Sequence, residues 1–264
     1  MSGGDGRESL AGLANEMMSK LDGKQGIALF DLDQTLVPWD TQLLFCNWVL
    51  KQEGWRRLFL FVFLPFLPLV KVLGGEGMKR IFLSFLWGMK RERVEELVEG
   101  FVAHYVPSEF YAELLEEVAK EKAKGRLVVL TSASPELYAR PIGEALGFDV
   151  SYGTRVEFGD TMPLFPDFTR GNNKGQVKVE RLEEELGLVA EGGVFSNSAG
   201  YSDSKADLPM LLLCEEVTAV HPEGMYVELA EEKGWRVVTP DRPWKDRRAF
   251  GIAALRMMLG IFPL

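Results

Sequence analysis

Apolar residues are spaced along the chain in two ways. Residues 27–30 (IALF) and 127–130 (LVVL) are unbroken apolar runs, and Val194 and Phe195 begin a third. Such runs predict strands buried on both faces, as in parallel sheets. Residues 150–158 alternate apolar and polar, and further strands are predicted around 218–220 and 235–238. Between them the spacing is helical: Phe110, Leu114, Leu115 and Val118 recur until Gly125 stops the pattern. Helices are also predicted over 41–50, 90–106, 135–146, from a cap at Asn172 or Asn173 to Leu186 ahead of Gly187, and over 226–233, with a short one near 9–21. Strands alternating with helices imply an α/β fold, a Rossmann-like doubly wound parallel sheet. Residues 38–106 break the alternation. The chain therefore divides into a tail with a short helix (1–24), a core (25–37 and 107–245), an inserted, mainly helical segment (38–106) and an apolar C-terminal tail (246–264).

The insert is strongly apolar and basic. Residues 58–70, LFLFVFLPFLPLV, contain no polar side chain, and 81–89, IFLSFLWGM, form a second apolar run. A membrane span needs about twenty residues, and Pro65 and Pro68 lie inside the first run, so a simple crossing is not expected. The tail 249–264 is also largely apolar and follows Lys245, Arg247 and Arg248. The net charge of −9 argues against nucleic acid as a partner. Within the insert, however, Lys51, Arg56, Arg57, Lys71, Lys79, Arg80, Lys90, Arg91 and Arg93 face only Glu53, Glu76 and Glu92. Apolar runs flanked by basic residues suit peripheral or monotopic docking on an anionic phospholipid surface, with packing inside the protein as the competing reading. Cys46 and Cys214 lie far apart among apolar residues and are expected to be free buried thiols. The polar first two dozen residues show no secretory signal. His104 and His221 lack any partner pattern and read as structural or surface groups.

The candidate chemistry starts where the first strand ends. Asp31 and Asp33 follow residue 30, with Thr35 close behind. In α/β sheets ligands bind beyond the carboxyl ends of strands, and two close carboxylates need a cation or a shared proton. A hard cation such as Mg²⁺ fits oxygen ligands of this kind. Three more sites then fall at strand or helix ends: Thr131-Ser132-Ala133, Lys174, and Asp203 with Asp207. The string DLDQTL and the order of the four sites resemble the haloacid dehalogenase superfamily of phosphoryl-transfer enzymes, and the position of the insert resembles that superfamily's first type of cap. GYSDSKADLPML and AVHPEGMYVELAEEKGW look like its phosphoserine-phosphatase-like branch. The insert is similar to that of the phosphatidylglycerophosphatase C family, which removes the terminal phosphate of phosphatidylglycerophosphate.

The resemblance implies roles. Asp31 would be the nucleophile that forms an aspartyl-phosphate, and Asp33 the general acid and base. Mg²⁺ would be held by Asp31, Asp203 and the backbone carbonyl of Asp33. Thr35, Ser132 and Ala133 would bind substrate, Lys174 would neutralise phosphate and nucleophile, and Asp207 would orient Lys174 or a metal-bound water. Many members carry Gly where this chain has Gln34, so loop geometry is expected to differ there. The implied activity is a Mg²⁺-dependent phosphatase acting on a phosphorylated lipid at the cytoplasmic face of the inner or plasma membrane. A soluble phosphatase for a small monoester such as phosphoserine, and a non-catalytic membrane-associated scaffold, are the alternatives.

Overall fold

The apolar run at 27–30 forms the central strand, β1 (Gly26–Phe30), of a seven-stranded sheet. The computed structural model describes residues 23–188, 190 and 193–263; the helix expected near 9–21 lies outside them. The other strands are β2 (Arg126–Pro135), β3 (Val150–Glu157), β4 (Asp167–Thr169), β5 (Phe195–Ser202), β6 (Cys214–Val220) and β7 (Arg236–Val238). Their order is β4-β3-β2-β1-β5-β6-β7, and every pair is parallel except β3 with β4. The fold is the expected α/β doubly wound sheet. Side chains of β1 alternate between two cores. Ala28 and Phe30 face one with Val128 and Leu130, and Ile27 and Leu29 face the other with Leu182 and Met210. Phe30 pairs in register with Leu130 of β2 and Tyr201 of β5. The carboxyl ends of β1, β2 and β5 therefore lie side by side, and the residues that follow converge.

Two local features differ from the periodicity. The chain turns after β3 and returns as the three-residue β4, too short to leave an alternating pattern. The helix expected from an Asn cap starts later, at Gln176, behind Gly175 with φ +59° and no side-chain cap. Asn172 and Asn173 are used elsewhere, as described below. Both cysteines are buried and free, and His104 stacks on Trp48.

The insert is helical. Helix α1 (Thr41–Gln52) starts behind Asp40, whose carboxylate accepts from the Gln42 and Leu43 amides. This satisfies donors that the first turn leaves without partners. Short helical segments, including α2 (Phe59–Phe63) and α3 (Val70–Phe82), then run without a break from Gly54 to Leu86. A Gly74 in extended, positive-φ geometry (φ +66°, ψ −177°) kinks α3. Helix α4 (Arg91–Tyr105) returns to the core. Phe59, Phe63, Phe82 and Phe85 meet edge to face inside the insert, an arrangement that suits aromatic quadrupoles. The opposite stripe is bare: Phe61 is 79% exposed, and Trp55, Leu58, Leu64, Leu67 and Val72 are exposed with it. Within 58–70 only Phe59 and Phe63 are buried, and the stretch from Leu64 to Val70 is mostly open. By length and composition alone the stretch Gly54–Leu86 could cross a membrane, and only 11% of its most apolar window is buried.

The basic block splits three ways. Arg56 is buried and donates to the carbonyls of Phe85 and Trp87 and to Glu53. Lys79 and Arg80 turn to the core. Lys51, Arg57 and Lys71 are exposed. The C-terminal segment folds as α10 (Arg247–Met258), capped by Asp246, with Ala253 and Met257 buried and Ile252, Leu255 and Ile261 exposed. Phe262 exchanges two hydrogen bonds with Asn47 of α1, and Arg57 donates to the carbonyls of Leu259 and Gly260.

Candidate active site

Four carboxylates gather beyond β1 and β5. Asp31 and Asp207 are buried, and both accept hydrogen bonds from Lys178, Asp31 Oδ1 at 2.7 Å and Asp207 Oδ2 at 2.8 Å. Asp207 is held in turn by the Ser202 hydroxyl at 2.8 Å. The ammonium of Lys178 is 1% exposed, and these two carboxylates raise its pKa against the opposing effect of burial. Thr35 Oγ1 lies 3.2 Å from Asp31 Oδ2 and 3.3 Å from Asp203 Oδ1, and it accepts from the Asp203 amide at 3.0 Å. One hydroxyl carries one hydrogen, so it cannot satisfy both acids at once. Burial, ahead of neighbouring charge, pushes Asp31 up to about 7 and Asp203 up to about 8. Two buried acids short of donors and raised in this way form a place for a further cation.

Asp33 lies on the other side of the cluster and is held differently. Its Oδ1 accepts from the Thr41 amide and hydroxyl, both at 2.6 Å. Its Oδ2 accepts from Ser134 Oγ at 2.6 Å and from Ser132 Oγ at 3.4 Å. The Thr41 and Ser134 hydroxyls also touch, 2.9 Å apart. If Asp33 takes up a proton, one hydroxyl can accept it and turn its own hydrogen to the other, so the network tolerates both states of the acid. Gln34, directly after Asp33, adopts φ +59°, the conformation that glycine takes without cost.

The carboxyl end of β2 supplies the third wall. Ser132 Oγ accepts from the Ser134 amide. The Ala133 carbonyl accepts from Thr154 Oγ1 at 2.6 Å and from Lys79 Nζ at 2.5 Å. Asn173 donates to Thr131 Oγ1 and to the Ser132 carbonyl, while its own buried Oδ1 finds no partner among the described residues. Asn172 Oδ1 accepts from Lys79 and Thr154. The two asparagines therefore brace the site rather than cap a helix.

The sequence expectations can now be placed. Asp31, Asp33, Thr35, Ser132, Ala133, Asp203 and Asp207 all lie around one centre. Lys174 requires a correction. Its side chain is exposed, and the lysine that reaches Asp31 and Asp207 is Lys178, one turn further along α7 (Gln176–Leu186). Lys178 shares its side of the helix with buried Leu182 and Leu186. A lysine at i of an i, i+4, i+8 apolar stripe must find a buried anion, and that signal was available in the sequence. Thr41, Ser134 and Lys79 were not foreseen. They become part of the site only through tertiary contacts, and serine or threonine near a strand or helix end is otherwise an ordinary cap.

Residues 28–212 match the family of haloacid dehalogenase-like hydrolases. The chain belongs to that family. Over 223 residues, 82% of this chain and 76% of the other, it is 28% identical to a probable phosphatase of Mycobacterium tuberculosis. It is 26% identical over 226 residues to a histidinol-phosphatase of Neisseria meningitidis, covering 81% of this chain and 98% of that one. Its fold matches a phosphoserine phosphatase solved as an analogue of the phospho-aspartyl intermediate, with a TM-score of 0.52 and 20% identity over 83% of this chain and 95% of that one. Family, phosphatase-named relatives and shared fold make this haloacid dehalogenase-like hydrolase a phosphatase.

Proposed function

We propose that this phosphatase is a Mg²⁺-dependent phosphomonoesterase working through an aspartyl-phosphate on Asp31, with a phospholipid head group, phosphatidylglycerophosphate, as substrate. The observation that carries the chemistry is the pairing of Asp31 with the buried Lys178. A phosphate monoester repels a carboxylate nucleophile unless positive charge is supplied, and Lys178 supplies one such charge 2.7 Å from Asp31. Asp31 attacks phosphorus, the ester P–O bond breaks, and the leaving oxygen takes a proton from Asp33. Asp33 then removes a proton from water, whose oxygen attacks phosphorus and breaks the P–O bond to Asp31. Inorganic phosphate leaves and both acids are regenerated. Thr41 and Ser134 hold Asp33 for both proton transfers, and Ser132 binds phosphoryl oxygens.

The donor set fits Mg²⁺. Among the described residues no group of three or more His, Cys, Asp or Glu side chains forms a metal cluster. Mg²⁺ is ordinarily held by one or two carboxylates together with substrate phosphate and waters. Asp31, Asp203 and the Asp33 carbonyl would hold it, and the raised pKa values of Asp31 and Asp203 mark the charge deficit that it would fill. When bound, the ion lowers the repulsion between Asp31 and the phosphoryl group.

The lipid part rests on the bare stripe of the insert. Trp55, Leu58, Phe61, Leu64, Leu67 and Val72 are exposed, with exposed Lys51, Arg57 and Lys71 at its margins. This suits an anionic bilayer, which takes up apolar side chains and attracts basic residues. The protein would act as a peripheral or monotopic enzyme at the cytoplasmic face of the membrane, with Ile252, Leu255 and Ile261 of the C-terminal segment adding a second contact. The Neisseria relative favours a second reading, a small soluble monoester. A phosphate-release screen with Mg²⁺ over phosphatidylglycerophosphate in mixed micelles, phosphatidate, phosphoserine and histidinol phosphate separates the two. The lipid reading requires kcat/KM at least tenfold higher for phosphatidylglycerophosphate than for either small monoester, and a higher value for a small monoester overturns it. Asp31→Asn should abolish release from every substrate.

A further inference from the structure

Besides Thr41, the insert contributes one charge to a site built mainly by the core. Helix α3 is fastened to the core by three consecutive contacts. Glu76 Oε2 accepts from the Asn172 amide at 3.0 Å, Lys79 donates to Ala133 O and Asn172 Oδ1, and Arg80 donates to the Pro166 carbonyl and pairs with Asp167. Glu76 and Arg80 are plain fasteners. Lys79 differs in three respects. Its ammonium is largely shielded and has Asp33, Asp40, Lys174 and Lys178 within electrostatic range. It stands on the end of β2 that carries Ser132, through the 2.5 Å bond to Ala133. It also has three donors and only two acceptors among the described residues.

Lys79 thus brings a shielded positive charge with a spare donor to the strand end that carries Ser132, on the side of Asp33. We infer that Lys79 is a substrate-binding residue whose remaining donor takes an oxygen of the phosphoryl group, so that a phosphomonoester is gripped by the core and the insert together.

The inference rests on the phosphatase reading alone and not on the lipid, so the probe is inorganic phosphate with Mg²⁺. Calorimetry on the full chain compares the wild type with Lys79→Gln, Lys79→Arg, Glu76→Gln and Arg80→Gln. Lys79→Gln should weaken phosphate binding at least tenfold and Lys79→Arg should recover most of it, because Arg keeps the charge. With p-nitrophenyl phosphate the loss should appear mainly in KM. Glu76→Gln and Arg80→Gln loosen the insert without removing that charge, and each should change phosphate affinity by less than threefold. If Lys79→Gln binds phosphate like the wild type, or if the Glu76 and Arg80 variants lose as much as Lys79→Gln, Lys79 is a fastener and the inference fails. A wild type that ignores phospholipid but binds phosphate through Lys79 leaves the inference standing and removes only the lipid reading.

Discussion

At the scale of single residues, the centre depends on which lysine is inside. Lys178 satisfies two buried carboxylates, whereas the Lys174 side chain is exposed. Lys178→Met would leave Asp31 and Asp207 facing each other without a cation. Breaking a buried pair in this way costs about 3–5 kcal/mol, so the variant should lose phosphatase activity by at least a thousandfold and melt several degrees lower. Lys174→Ala should retain activity within about threefold and melt like the wild type, since exposed lysines contribute little. Steady-state assays and thermal melts on the two variants check this, and equal losses would return position 174 to the centre. The sequence alone could not separate the two lysines by their nearness to a helix start. What separates them is burial, and burial follows from the stripe that Lys178 shares with Leu182 and Leu186.

At the scale of elements, the insert has two distinct faces. Phe61 points outward, and Phe63 packs on Phe59 and Phe82. Phe61→Asp should leave the fold and p-nitrophenyl phosphate turnover intact while weakening co-sedimentation with anionic liposomes. Phe63→Asp should instead collapse the insert, because burying a Phe side chain contributes roughly 1.5–3 kcal/mol and the new carboxylate would have no partner. Liposome binding by Phe61→Asp equal to wild type would show that this stripe is not the docking face. Most elements were legible from hydrophobic spacing, because β1, β2 and the amphipathic helices each bury a regular pattern. The acids were legible because they follow an apolar run. The edge strand β4 was not, since three residues carry no period. Nor was the split within 58–70: an all-apolar run contains no polar positions to mark which side faces out.

At the scale of the whole molecule, the charge gathered beyond the carboxyl ends of β1 and β5 ties stability to pH and to metal. Asp31 and Asp203 have pKa values raised above their unfolded value near 3.8, to about 7 and about 8. Groups raised in this way leave the folded state fully favoured below pH 4, and that advantage is lost as pH rises through 7 and 8. Metal-free protein should therefore melt at progressively lower temperature from about pH 5 to pH 8.5. Mg²⁺ should restore the melting temperature most at the alkaline end, because it binds the ionised acids. Asp203→Asn should make the metal-free profile shallower, leaving the part due to Asp31, and abolish the Mg²⁺ increment. A wild-type profile that is flat with pH and unmoved by millimolar Mg²⁺ or by chelator would contradict the assignment of the two acids. The same site also joins the core to the insert. Thr41, which gives Asp33 two of its hydrogen bonds, is the first residue of α1 and belongs to the insert. On the proposed mechanism, the acid that handles the proton is therefore held by a hydroxyl of the insert. An insert exchanged for one of another specificity would have to bring its own hydroxyl to that first turn, or the transplanted enzyme would recognise its new ester and fail to protonate the departing alcohol.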